Sequence, residues 1–217
     1  MVGFKTEGVV LKRRNFGEAD RILTIFSLSR GKITVLAKGV RRITSRRAGN
    51  VELLNRVQMY LHPGKNFLIL TEASSLKTYP KIKADLTLST YAYHLIELVD
   101  KLTAENQENR ILYQHLIEVL ERLEKNPRQI LIRAFEVKIL SALGFVTFDP
   151  QINASTPGVS VQIRKILQDL ENLGWDEIEK IKIDEKEALA LERVLRYHLE
   201  RVIESSLKSR QYLKNNG

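Results

Sequence analysis

Apolar residues recur along this chain with two different periods, and the change falls near residue 80. Before it the apolar runs are short and rich in β-branched residues, over 8–14, 22–27 and 32–37. In the last of these Ile33, Val35 and Ala37 alternate with Lys32, Thr34 and Leu36, the period-2 pattern of a strand with one buried face. Ser29-Arg30-Gly31 between the second and third runs predicts a hairpin-type turn, because Gly31 takes a positive φ without steric cost. Two further runs, 56–61 and 67–71, flank His62-Pro63-Gly64-Lys65-Asn66, another strong turn. Five short strands in so little chain cannot bury two faces as an open sheet. The expectation is a small closed barrel of the five-stranded OB-fold kind, with its longer connection after the third strand. An SH3-like barrel is the competing arrangement.

Beyond Tyr79-Pro80 the period becomes that of a helix. Residues 85–104 align Leu88, Tyr91, Leu95, Leu98 and Leu102 on one stripe, and 110–125 do the same with Leu112, Leu116, Val119, Leu120 and Leu123. Asn126-Pro127 offers an N-cap and a first-position proline for a helix that ends at Gly144. Residues 145–158 have no period and read as a loop; 159–173 predict a helix stopped by Gly174. Asp184, with Glu187 three residues on, opens a last long helix. Lys208, Arg210 and Lys214 near its end suit the helix dipole. No internal repeat interrupts this order. The predicted class is therefore α+β: an OB-fold barrel over 1–79, then an all-helical domain over 80–217.

Composition narrows the function classes. With 217 residues, 43% hydrophobic and 28% charged, the chain suits a soluble globular protein. No stretch approaches eighteen uninterrupted apolar residues, and the N-terminus has no secretory pattern, so a cytoplasmic protein without a membrane span is expected. The absence of cysteine excludes disulfides, thiolate zinc sites and cysteine nucleophiles. The net charge of +9 is unevenly placed. Residues 1–79 hold fifteen Lys or Arg against five acids, while the remainder holds twenty against twenty-one. Between Asp20 and Glu52 there are eight bases and no acid. Charge serving solubility alone would spread along the chain, so the concentration points to a polyanionic partner, nucleic acid or an anionic membrane.

Catalytic chemistry leaves little trace. Ser29-Arg30-Gly31-Lys32-Ile33-Thr34 approaches a phosphate-binding loop, but Phe26 stands where such a loop needs a glycine. The four histidines (His62, His94, His115 and His198) are scattered, without metal-ligand spacing. Glu18 and Asp20, beside Arg21, shape and neutralise a turn rather than forming an acid–base pair. Neither a triad nor a cluster of acids able to hold magnesium is visible, so no catalytic residue, metal or cofactor is expected.

One group of residues has a familiar order. Phe16-Gly17-Glu18-Ala19-Asp20-Arg21-Ile22-Leu23-Thr24, then Gly31-Lys32, then Ala37-Lys38-Gly39-Val40-Arg41-Arg42 resembles the N-terminal signature of the bacterial RecO family of DNA repair proteins. Tyr91 through Asp100, Arg133-Ala134-Phe135-Glu136, and Leu143-Gly144-Phe145 resemble that family's helical landmarks. The resemblance implies recombinational repair: binding of single- and double-stranded DNA and annealing of complementary strands. It also implies help to a RecR-type partner in placing recombinase on strands coated by single-strand-binding protein, whose acidic tail is a further expected contact. A nucleoid-associated location follows from the same family. Many relatives carry a four-cysteine zinc module after the glycine that corresponds to Gly144. Here that region is the cysteine-free loop 145–158, so zinc is not carried over.

The candidate DNA-binding residues are Arg13, Arg14, Arg21 and Lys32 on the strands, and Lys38, Arg41, Arg42, Arg46 and Arg47 on the long connection. There, flexible bases could track a phosphate backbone. Phe16, Tyr60 and Phe67 are candidate stacking platforms, with core packing as the competing role. An RNA-binding or ribosome-associated barrel, or an adaptor for an acidic protein tail, would use the same electrostatics.

Overall fold

The computed structural model describes residues 2–148 and 159–215, the side chains of 205–215 excepted. Five strands form: β1 Phe4–Phe16, β2 Asp20–Ser27, β3 Gly31–Ala37, β4 Arg56–Pro63 and β5 Leu68–Lys77. They close into a barrel in the order β1-β2-β3-β5-β4, with β1 antiparallel to β4 completing the ring. This is the OB-fold arrangement. The interior is filled by the alternating residues, among them Leu23, Ile25, Ile33, Val35, Val57, Met59 and Leu61.

Every strand is longer than its apolar run. β5 gains Glu72–Lys77, a segment without a strand pattern of its own, because β4 holds it: Met59 pairs with Ala73, Gln58 with Ser74 and Val57 with Ser75. The connection 38–55 also contributes to the core, through Val40, Val51 and Leu54, each fully buried. It meets β1 at the bulge between Val10 and Lys12, where Leu54 N–H donates to Val10 C=O (3.0 Å) and Val10 N–H to Asn55 C=O (3.1 Å).

By their contacts the residues fall into two units, Met1–Gln114 and His115–Gly217, and the expected division at 79/80 lies inside the first. With the barrel go α1 Pro80–Ala84, a short helix without a sequence signal, and α2 Leu86–Leu102. The Asp85 carboxylate caps α2 by accepting from Leu88 N–H at 2.9 Å. α3, Arg110–Lys125, begins in this unit and buries Leu112, Leu116, Val119, Leu120 and Leu123 along its stripe.

The second unit continues with α4 Gln129–Ala142, α5 Val161–Asn172, α6 Trp175–Ile178 and α7 Glu185–Asn215. The start of α4 differs from expectation. Arg128, not Asn126, is its N-cap, so Pro127 lies outside the helix. Its end agrees: Gly144 takes φ +72° and Phe145 N–H returns to Leu140 C=O at 2.9 Å. Gly174 stops α5 and is at the same time the N-cap of α6. The capping box of α7 is reciprocal, Asp184 N–H to Glu187 Oε2 at 3.0 Å and Glu187 N–H to Asp184 Oδ1 at 2.8 Å. Residues 149–158 of the expected loop, and the side chains of Lys208, Arg210 and Lys214, lie outside the described residues.

Charge in this unit is paired locally. Arg122 meets Glu118 (3.1 Å), Asp176 (2.6 Å) and Glu179 (2.8 Å); Arg133 meets Glu136 (2.7 Å) and Glu192 (3.5 Å). Lys138, nearly buried, donates to Glu171 C=O and Leu173 C=O at the end of α5, where a cation complements the dipole. Trp175 Nε1–H donates to His115 Nδ1 at 3.3 Å. Burial, with Lys138 nearby, pushes His115 down to about 4.

Candidate nucleic-acid interface

The tip of the β1–β2 hairpin and the start of the 38–55 connection are built onto each other. Gly17 turns the hairpin at φ +56°. The Asp20 carboxylate then accepts from Gly39 N–H at 2.7 Å. Arg41 N–H donates to Ala19 C=O (2.9 Å), and the Arg41 guanidinium to Gly17 C=O (3.2 Å). The glycine-glutamate-x-aspartate segment and the lysine-glycine-x-arginine-arginine segment are thus two halves of one joint. Asp20 shapes a turn, as its position in the sequence predicts, but the turn it holds is nineteen residues away.

Farther along, Arg47 spans three carbonyls, those of Lys38 (2.9 Å), Leu70 (2.7 Å) and Thr71 (3.3 Å). Asn50 ties the same connection to β5 through Ala73 C=O, Ser75 N–H and Ser75 Oγ. Its asparagine carries no sequence signal for that task. The backbone of the basic connection is thus pinned at both ends, and two of its expected flexible bases, Arg41 and Arg47, have side chains bonded to carbonyls.

The nine candidate cations separate into groups. Lys38, Arg42 and Arg46 on the connection and Arg14 on β1 are exposed, and among the described residues no acid pairs with them. Arg41 and Arg47 are held by carbonyls, which orient a guanidinium without cancelling its charge. Arg13 and Arg21 share a single carboxylate, Glu52, the latter at 3.1 Å. Beside Arg13 and Arg14 a cleft of about 520 Å³ opens over Leu11, Ile22 and Ile96.

Lys32 is placed elsewhere. It is 5% exposed, donates to Asp100 C=O near the end of α2 and lies 3.8 Å from the Asp100 carboxylate. A buried ammonium already held by a helix end is not available to a phosphate in solution. Gly31 has a related explanation. A Cβ there would stand 1.8 Å from Gln107 C=O, because the segment after α2 runs against β3 and Asn106 N–H donates to Lys32 C=O at 2.8 Å. The glycine and lysine that suggested a phosphate loop are thus committed to this contact.

Two of the three candidate stacking rings meet. Phe16 and Phe67 pack edge to face with centroids 6.5 Å apart, Phe16 remaining 42% exposed. Tyr60, 37% exposed, stands on β4 with its ring over Gly3. Among the described residues no group of three His, Cys, Asp or Glu is placed to hold a metal ion, and no helix is long and apolar enough to cross a membrane.

A closed OB barrel with a basic end, followed by helices, is a two-part protein of the OB-fold class. Two family models divide the chain in the same order: Recombination protein O N terminal matches residues 1–79 and Recombination protein O C terminal matches residues 83–146. The chain belongs to the RecO family. It is 38% identical over 144 residues to the DNA repair protein RecO of Acetivibrio thermocellus, covering 65% of this chain and 57% of that protein. With the protein of the same name from Pelotomaculum thermopropionicum the identity is 34% over 142 residues, or 65% and 56% of the two chains. With that of Desulforamulus reducens it is 26% over 242 residues, or 97% and 93%. In the first two the match spans little more than half of the relative's length.

Proposed function

We propose that this chain is a DNA repair and recombination mediator that binds single- and double-stranded DNA through the basic end of its barrel. In this reading residues 1–79 carry the DNA-binding face and 80–217 the helical domain. Complementary strands are annealed on that face, without catalytic residues, metal or cofactor. With a RecR-type partner, and through the acidic tail of single-strand-binding protein, the chain assists loading of recombinase in the bacterial cytoplasm, at the nucleoid. Family membership supports the repair role. The observation that carries DNA binding is the set of exposed cations, Lys38, Arg42 and Arg46 with Arg14, that no acid neutralises among the described residues. Phe16 and Phe67 supply adjacent aromatic surface for bases. Lys32 is left out of the contact set because its ammonium is occupied.

The test is the salt dependence of binding. Each phosphate contact adds about 0.7 to the slope of log K against log salt for single strands. Replacing Lys38, Arg41, Arg42 and Arg46 together by Ala should flatten that slope by about 2.8. Arg47 is retained because its three carbonyl bonds hold the connection in place. The loss should be the same for unrelated sequences, since phosphate contacts position without specifying. A folded variant with the wild-type slope would remove the interface from this face, and tighter binding to RNA than to DNA would favour an RNA-binding role.

A further inference from the structure

The pinned connection carries at its apex a residue that phosphate binding does not explain. Ser45 N–H donates to Arg42 C=O at 2.9 Å, closing a turn over Arg42-Ile43-Thr44-Ser45. Ile43 and Thr44 therefore take the two central positions, where Gly, Pro, Asn, Asp and Ser are the favoured residues. Two β-branched side chains there oppose the local turn chemistry, and such conflicts concentrate at functional sites. Ile43 is fully exposed, at 106%. Arg41 and Arg42 precede it and Arg46 follows, all exposed.

The support beneath this apex is rigid by construction. Val40 is fully buried, Gly39 is held by Asp20, and Arg47 locks Lys38 to β5. A short apolar side chain raised on a fixed backbone between cations has the make-up of a wedge. The cations hold phosphates on either side while the apolar group takes a place between bases, at the cost of one stacking contact. Isoleucine has no hydrogen-bonding group, so the insertion responds to how firmly a step is stacked and not to which bases form it.

We infer that Ile43 inserts between two neighbouring bases of the DNA strand held by Arg41, Arg42 and Arg46, unstacking that step. The inference rests on the DNA-binding reading above and adds a role that charge alone does not supply. It is tested on the full chain with single strands carrying 2-aminopurine, whose fluorescence rises when its stacking is lost. Wild type and Ile43→Leu should raise the fluorescence at saturation. Ile43→Ser should lose most of that rise while keeping the wild-type salt slope and melting temperature, because the residue is exposed and uncharged. A rise that persists in Ile43→Ser, or a wild type that binds with no rise, overturns the wedge and leaves the electrostatic reading intact. A wild type that shows no salt-dependent binding overturns both.

Discussion

Two pairs of arginines, one pair in each unit of this protein, are used in opposite ways. Arg122 in the helical unit faces three carboxylates, and Arg133 faces two. Their charge is cancelled where it stands. Arg47 and Arg41 in the barrel unit face carbonyls instead, so their geometry is fixed and their charge remains. The field around each guanidinium therefore depends on its partner atom and not only on the count of bases. A carbonyl partner organises a cationic surface; a carboxylate partner removes it.

Substitution of Arg47 should show the largest effect on this contrast. Arg47→Ala strips three charge-assisted hydrogen bonds from the connection and should cost about 2–4 kcal/mol in chemical denaturation. Loss of less than about 1 kcal/mol would mean that the connection is held without it. Arg122→Ala comes next. It leaves Glu118, Asp176 and Glu179 to repel one another, at about 1–2 kcal/mol given their partial exposure. The salt slope of DNA binding should stay at its wild-type value, and a flattened slope would extend the interface into the helical unit.

The smallest expected effect is a pH trend in the helical unit. In the folded state burial, with Lys138 nearby, lowers His115 to about 4, so it stays neutral above that value, whereas in the unfolded chain it takes up a proton below its ordinary value near 6.5. The unfolded state thus binds more protons between those values, and stability present above about 6.5 declines as the pH falls toward about 4. His198, also pushed down by burial, adds in the same direction. Melting temperatures followed from about pH 7 to about pH 5 should fall less steeply in His115→Gln than in wild type. Identical slopes in the two proteins would remove His115 as the cause.

Local pattern made much of this architecture readable. The alternation of Ile33, Val35 and Ala37, the stripe of Leu112 to Leu123 and the Asp184–Glu187 box each depend on residues a few positions apart, and each is present in the fold. What escaped depends on partners far along the chain. Strand β5 continues through Glu72–Lys77 because β4 lies beside it. Lys32 meets a helix end sixty-eight residues away, and a period-2 reading assigns it to the solvent face. Arg47 reaches carbonyls twenty-three and twenty-four residues on, a contact that makes a structural strut of one base in a run of apparently equivalent ones. Charge counting located the basic end of the barrel. It could not sort cations that are free from cations that are spoken for.

The closure of the barrel is uneven, and this bears on how the protein keeps its strands from other chains. A closed sheet presents no edge for a foreign strand to join. Between β1 and β2 the ladder runs over eight residue pairs, but between β3 and β5 it has only Val35 with Leu68 and Leu36 with Ile69. That short parallel seam is expected to open before the rest of the barrel, with its amide protons exchanging first in a hydrogen-exchange measurement. Once parted, it offers two unpaired strand edges at once. The guanidinium of Arg47, bonded to Lys38 on one side and to Leu70 and Thr71 on the other, is a clasp across the end of that seam. Its loss would show itself in the test tube as aggregation well before the barrel unfolds.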